Sequence, residues 1–335
     1  MNKDSSKNKN LIEVKHLKKY FPAGIKGGKR QYVKAVDDVS FTIEKGTTMG
    51  LVGESGCGKT TVGRTMLRLY SITDGQVIFD GINLNDVSRR ELRKLRPRMQ
   101  MIFQDPYSSL SPRMPVAEII GEAVREHSIV PNNEVDQYVA KVMDSCGLPR
   151  QFARRYPHEF SGGQRQRICI ARAVALKPDF IVCDEPVSAL DVSIQAQIIN
   201  LMQDLQKEFD YTYLFISHDL SVVEYISNTI GVMYLGNLVE FGDKESIFKK
   251  PMHPYTQALL SAVPVPDPDF ELNRVVLEGD IPSPVNPPSG CKFRNRCRYA
   301  MEVCSKIQPG FNEYFPGHEV ACQLYPQSGS SLSQK

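Results

Sequence analysis

Thr48-Met-Gly-Leu-Val-Gly53-Glu-Ser-Gly-Cys-Gly58-Lys59-Thr60-Thr61 is the stretch on which the reading of this chain turns. A short apolar run, Thr48 to Val52, enters a glycine-rich turn and then Thr60 to Leu69, whose apolar spacing suits a helix. Gly53 to Thr60 satisfies the phosphate-loop pattern, in which glycines let backbone N–H groups surround phosphates. Lys59 reaches the outer phosphates and the Thr60 hydroxyl binds magnesium. A plain strand-to-helix turn is the bland alternative. The position after an apolar strand and before a helix N-terminus, whose partial positive charge attracts anions, is the context a phosphate site requires.

Working outward, the same grammar recurs. Met99 to Phe103, Phe180 to Cys183 and Tyr213 to Ile216 are short apolar runs followed at once by polar residues, as buried parallel strands are. Leu11 to Val14 and Val36 to Ile43 alternate like strands with one buried face, and Pro22 to Lys34 between them reads as a Gly- and Lys-rich loop. Val116 to Glu126, Val135 to Cys146 and Gln164 to Leu176 have helical spacing and predict a helical lobe. After Phe248 the texture changes. Twelve of the 22 prolines lie between Pro251 and Pro326, and Val263 to Pro288 lacks periodicity. The expectation is an α/β protein with a mostly parallel sheet, an antiparallel β subdomain and a helical subdomain over about 105–175. A main domain spans 1–250, and a small irregular module at 251–335 ends in a loose tail from Gln327.

Bulk properties narrow the function classes. The chain has 335 residues, 41% hydrophobic and 24% charged, near globular averages. No run approaches the roughly 18 to 20 apolar residues of a membrane-spanning helix, and Met1 to Asn10 resembles neither a secretion signal nor an anchor. A cytoplasmic location is expected. Net charge of +3 over 41 basic and 38 acidic residues gives no single-sign field, so no nucleic-acid partner is expected. The local cluster Arg89, Arg90, Arg93, Lys94, Arg96 and Arg98 reads as a solvated helix face.

In open α/β sheets, ligands sit beyond the carboxyl ends of the strands. Gln104, Asp184 with Glu185, and His218 end the other apolar runs and should converge on the phosphate loop. Each alone has a bland explanation: a turn before Asp105-Pro106, a cap, a hydrogen-bonded histidine. Together they supply what nucleotide hydrolysis needs. Asp184 holds magnesium through water, Gln104 completes its shell, Glu185 orients and deprotonates the attacking water, and His218 holds the γ-phosphate. Phe160-Ser161-Gly162-Gly163-Gln164 precedes a helix. Ser161 and Gln164 suit a capping box, and the two glycines suit close approach of a second phosphate.

With these motifs in order, the sequence resembles the ATP-binding cassette family. Its signature appears as Phe160 to Gln164 with phenylalanine for leucine, its Walker A loop as Gly53, Ser55, Gly56, Cys57, Gly58, Lys59, Thr60 and Thr61, and its D-loop as Ser188-Ala189-Leu190-Asp191. The resemblance spans 11–248. It implies that Phe21 stacks on adenine, with Tyr20 as the competing choice. It also implies a head-to-tail dimer in which Ser161, Gly162, Gly163 and Gln164 close over the partner's ATP. A finer resemblance, to ATPases of oligopeptide and dipeptide importers, rests on Gln104 to Arg113 and His253 to Ala262. It implies a second, similar ATPase subunit, two membrane permease subunits and an extracellular binding protein, with Pro106 to Met114 transmitting to the membrane partner. Cargo is chosen by other subunits, and relatives carry nickel complexes or glutathione. A soluble cassette ATPase is disfavoured because the chain carries one cassette and only 56 residues separate Gln104 from Ser161. A GTP switch is disfavoured because no guanine-reading motif is present.

Eight cysteines in a reducing compartment should not form disulfides. Cys146, Cys169 and Cys183 read as core residues. Cys57 sits near a helix N-terminus, which lowers thiol pKa, so its alkylation should block nucleotide binding unless ATP protects it. Cys291, Cys297, Cys304 and Cys322 match no common spacing for zinc or ferredoxin clusters. The family resemblance implies a four-iron [4Fe-4S] cluster there, with zinc or free thiols as alternatives.

Overall fold

A computed structural model describes residues 9–263 and 275–325. The expected tail and part of the proline-rich run lie outside the described residues. β1 (Asn10–Lys26) and β2 (Lys29–Glu44) are neighbours in a sheet. Leu11, Ile12, Val14 and Leu17 on β1, and Val36, Val39, Phe41 and Ile43 on β2, are buried. The loop expected over 22–34 is replaced by strand: β1 runs to Lys26 and β2 starts at Lys29. They turn at Gly27 and Gly28, with φ of 57° and 74°. Two central residues at positive φ match the twist of paired strands. A main-chain ladder along an exposed ribbon needs no apolar side chains, so side-chain periodicity does not reveal it.

β3 (Thr48–Val52) is buried throughout and α1 (Lys59–Met66) follows the glycine-rich turn. β4 (Asp74–Phe79) and β5 (Ile82–Asn83) form a hairpin. α2 (Arg89–Leu95) buries none of its residues, as a solvated basic face should. Arg98 beyond it is different, pairing with Asp80 at 2.6 Å and Asp179 at 2.5 Å. Next come β6 (Met99–Ile102), α3 (Pro106–Ser109), α4 (Val116–Glu126), α5 (Val135–Ser145) and α6 (Gly162–Val174). β7 (Phe180–Asp184), α7 (Val192–Phe209), β8 (Thr212–Ile216) and α8 (Leu220–Ile226) continue the alternation. The chain finishes with β9 (Thr229–Tyr234), β10 (Asn237–Asp243), α9 (Lys244–Lys249), α10 (Pro254–Ser261), α11 (Glu302–Lys306), β11 (Asn312–Phe315) and β12 (His318–Val320). The architecture is α/β, as the apolar runs predict.

The described residues divide into two compact units. The first comprises 9–13, 42–48 and 77–217. Its β8, β7 and β6 are parallel, with Met99 opposite Phe180 and Phe180 opposite Thr212. Every residue of β7 and β8 is buried, as parallel strands covered on both faces require. The helical lobe expected from the sequence is α4 packed on α5 and α6, with Ile119, Ile120, Val124, Val135, Val139 and Met143 in its core.

The second unit comprises 14–41, 49–76 and the described residues from 218 onward. β3 runs parallel to β9, Val52 opposite Val232, and β9 turns back into β10 through Leu235 and Gly236, both at positive φ. Residues 275–301 form neither helix nor strand, yet β12 adds to β10 and β11 to β12, both antiparallel. The carboxylate that joins these pieces is Glu240 on β10, with 0% side-chain exposure. It accepts hydrogen bonds from the N–H groups of Met252 at 2.7 Å and His253 at 2.9 Å, and meets His318 Nε2 at 2.8 Å. Leaving a buried group of this kind unmatched costs about 1–3 kcal/mol, against about 0–1 kcal/mol for an exposed ion pair.

His253 caps α10, its Nδ1 accepting from the Tyr255 N–H at 3.1 Å. Burial pushes its pKa down from 6.5 to about 4, over the opposing pull of Glu240. The folded chain therefore holds it neutral while the unfolded chain protonates it. Its contribution is complete above about 6.5 and is lost as pH falls from there towards 4. Urea midpoints at neutral pH and at pH about 5 should separate further for the natural chain than for His253→Asn, which keeps a capping side chain.

Candidate active site

The phosphate loop has its shape because two glycines leave room for backbone. Gly53, with φ 147°, would place a Cβ 2.2 Å from the Met233 carbonyl oxygen, and Gly58, with φ 110°, would place one 2.1 Å from that of Ala35. No side chain fits either position. The Gly236 N–H donates to the Cys57 carbonyl at 2.9 Å, tying the loop to the β9–β10 turn. Ser55 and Gly56 form its exposed tip, and Thr60 and Thr61 are half-buried on α1. Lys59 is 4% exposed. Its ammonium donates to the carbonyls of Gly53 at 2.7 Å and Glu54 at 3.2 Å. Lys59 thus closes the turn on itself, its charge held against two carbonyl oxygens of the same loop.

Phe21 lies in the same unit, edge-on to Tyr70 at 5.3 Å and 87°, with the Lys19 ammonium 4.8 Å from its ring centre. Successive strand residues face opposite ways. The Tyr20 hydroxyl accordingly donates to Asp37 and lines a separate cavity of about 590 Å³ bounded by Lys34, Asp37, Cys291 and Lys292. His218, also in this unit, is exposed just before Asp219, which caps α8.

In the other unit, β6 and β7 end side by side, and the Gln104 amide donates to Glu185 Oε2 at 2.9 Å. Glu185 has φ 47°, an unusual conformation for a residue with a side chain and one that clusters at functional sites. Asp184, at the end of β7, is fully buried. The Gln104 amide oxygen and Asp184 carboxylate in this unit, like the Thr60 hydroxyl in the other, are hard oxygen donors, the type of ligand that magnesium takes. Asp105 caps α3, and that short helix is fastened to α6: Arg172 donates to the Ser109 carbonyl, and the Arg165 guanidinium lies 5.2 Å from the Tyr107 ring centre.

Ser161 and Gln164 form the capping box, with Gln164 N–H to Ser161 Oγ at 3.4 Å and Ser161 N–H to Gln164 Oε1 at 3.1 Å. Gly163 has a packing reason as well. A Cβ there would stand 2.5 Å from Ile194 Cγ2 on α7, just past Asp191 at that helix's N-cap.

Two expectations about cysteine need correction. Cys57 is 6% exposed, and burial pushes its thiol pKa up despite the nearby Lys59 ammonium; the expectation from the helix N-terminus did not include this desolvation. Iodoacetamide followed by peptide mass analysis should modify half-buried Cys297 well before Cys57, and dominant early labelling at Cys57 would contradict the buried placement. Cys291, Cys297, Cys304 and Cys322 are gathered closely enough to influence one another electrically. Among the described residues, however, no three or more metal-binding side chains stand in a ligand arrangement. Burial favours the neutral thiol at Cys291, Cys297 and Cys322, the last pushed up to about 11. The four-iron cluster is thus not supported by this arrangement.

The chain matches the family model described as ABC transporter over residues 36–188 and that described as oligopeptide/dipeptide transporter, C-terminal region, over 239–304. It is 53% identical over 320 residues to the oligopeptide transport ATP-binding protein AppF of Bacillus subtilis (strain 168), covering 94% of this chain and 97% of that one. The chain belongs to the ATP-binding cassette family of transporter proteins. This cassette is also 53% identical to OppF, an oligopeptide transport ATP-binding protein of the same organism, across 93% of this chain and 96% of OppF. A putative peptide import ATP-binding protein of Brucella ovis is 52% identical, across 93% of this chain and 97% of its own length. Among solved structures, the cassette MJ0796, a dimer bound to ADP and Pi in a post-hydrolysis state, has a TM-score of 0.62 at 27% identity, covering 70% of this chain and 99% of MJ0796. CbiO1 from Clostridium perfringens has a TM-score of 0.63 at 24% identity, covering 72% of this chain and 92% of CbiO1, and shares the cassette fold. No helix among the described residues is long and apolar enough to cross a membrane.

Proposed function

We propose that this cassette is the ATP-binding and ATP-hydrolysing subunit of an importer of di- or oligopeptides. It works at the cytoplasmic face of the membrane with a second, similar ATPase subunit, two permease subunits and an extracellular binding protein. The observation that carries the reading is the relatedness to oligopeptide transport ATP-binding proteins, which runs through both the cassette and the C-terminal region.

On ATP binding, Lys59 exchanges the carbonyls of Gly53 and Glu54 for the outer phosphate oxygens. Backbone N–H groups of the Gly53 to Thr61 loop, other than that of Glu54, which the Tyr255 hydroxyl takes, surround the phosphates, supplying preorganised positive charge where it develops in the transition state. Thr60, Gln104 and Asp184 would hold magnesium, which would neutralise phosphate charge. The Gln104 amide has both a donor and an acceptor, so it can steady Glu185 with one while offering oxygen with the other. Glu185 takes the proton from the attacking water, and His218 holds the γ-phosphate. Phe21 offers its ring to adenine, since the Tyr20 hydroxyl is committed to Asp37. Ser161, Gly162, Gly163 and Gln164 close over the ATP of the facing subunit, with Asp191 beside that junction. Pro106 to Met114, fastened to α6, carries the closure towards the permease.

Glu185→Gln should bind Mg-ATP like the natural chain and hydrolyse it at least about a hundredfold more slowly. Turnover near the natural rate removes Glu185 as the base. ATPase activity of the complex reconstituted with its permeases and binding protein should rise on adding oligopeptides, and an unresponsive complex rejects peptide as cargo.

A further inference from the structure

The phosphate-loop pattern leaves the position of Glu54 open to any residue, yet every polar group of Glu54 here has a partner. Its N–H donates to the Tyr255 hydroxyl at 2.8 Å, and its carbonyl accepts from Lys59 at 3.2 Å. Its two carboxylate oxygens take both terminal nitrogens of Arg296, at 2.7 and 2.9 Å. Arg296 is only 7% exposed and its guanidinium lies 6.0 Å from the Tyr234 ring centre. A two-pronged, largely desolvated pair of this kind is far more directional than an exposed ion pair.

Arg296 does not act from a loose segment. Four residues earlier, Lys292 donates to Asp37 at 2.9 Å and to the Leu235 carbonyl at 3.1 Å, and the Phe293 ring packs against Tyr234 and Tyr255 at 5.2 and 5.3 Å. Pro284 accepts from the Lys34 N–H at 3.1 Å. Apart from Tyr255 on α10, these contacts fall on the β2 and β9–β10 segments that flank the phosphate loop, next to Ala35 and Gly236. The stretch 284–296, which carries Cys291 and leads into Cys297, therefore grips both walls of the loop and its second residue.

We propose that Arg296 is a positioning residue of the nucleotide site: by holding Glu54 it sets the phosphate loop in its phosphate-accepting shape, so that the cysteine-bearing C-terminal segment and ATP affinity are linked. This inference rests on the reading of Gly53 to Thr61 as the ATP site. Arg296 touches no phosphate. Its loss loosens the peptide that aims Lys59 and leaves the Glu54 carboxylate uncompensated beside the incoming anion.

The test measures Mg-ATP affinity on the full chain by titration calorimetry, together with the thermal midpoint. The natural chain should bind and Lys59→Ala should not. Arg296→Ala should bind about tenfold or more weakly, with turnover at saturating ATP little changed, and Arg296→Lys, which keeps the charge but not the fork, should recover part of the loss. The paired variant Glu54→Ala with Arg296→Met leaves no charge unmatched. It should keep the natural thermal midpoint and still bind weakly, and it decides the matter if Arg296→Ala does not fold. Either variant, folded and binding Mg-ATP within about twofold of the natural chain, overturns the proposal while leaving the ATP site intact. A natural chain that does not bind ATP overturns the proposed function and this inference together.

Discussion

Two carbonyl oxygens, those of Ala35 and Met233, stand where the first side-chain atoms of residues 58 and 53 would be. The loop between β3 and α1 is consequently all backbone at its two tightest points. Nothing in the loop alone imposes this. β2 and β9 supply those carbonyls, so the most local motif in the sequence is shaped by segments up to 180 residues away along the chain. Lys59 then completes the arrangement by turning its ammonium onto carbonyls of the same loop.

The C-terminal segment belongs to that same unit, and Glu240 shows how it is fastened. One buried carboxylate joins β10 to the start of α10 and, through His318, to β12. The geometry is demanding because each partner is itself buried: His253 is 1% exposed and His318 1%. Aromatic packing of Tyr234, Tyr255 and Phe293 fills the adjoining space. The result is a single packed body in which the residues around 284–296 reach the nucleotide loop through specific polar contacts.

Much of the first unit is legible from side-chain pattern. The runs at 99, 180 and 213 are apolar because parallel strands are covered on both faces, and α4 begins and ends where its spacing predicts. The polar residues after those runs read as strand ends, and two of them, Gln104 and Glu185, stand in contact at 2.9 Å, a pairing that the pattern alone does not specify. What pattern does not carry is main-chain pairing without an apolar face, as in the exposed ribbon at 22–34, and long-range charge pairing, as between Glu54 and Arg296. The β9–β10 hairpin carries a usable signal in its apolar run and Gly236. The Cys57 error has one cause. Sequence shows a thiol beside a lysine and a helix start, but burial, which decides the direction of its pKa, depends on tertiary packing that side-chain pattern does not display.

β12 has a consequence for how the chain can be shortened. It covers the N–H and C=O groups along the outer side of β10, and β11 covers β12 in turn. A product of interrupted synthesis or protease clipping that stops before His318 would present β10 as a bare pairing edge with a carboxylate stripped of its imidazole. Such an edge recruits other chains, so fragments lacking the last strands should aggregate or be cleared instead of surviving as smaller working ATPases.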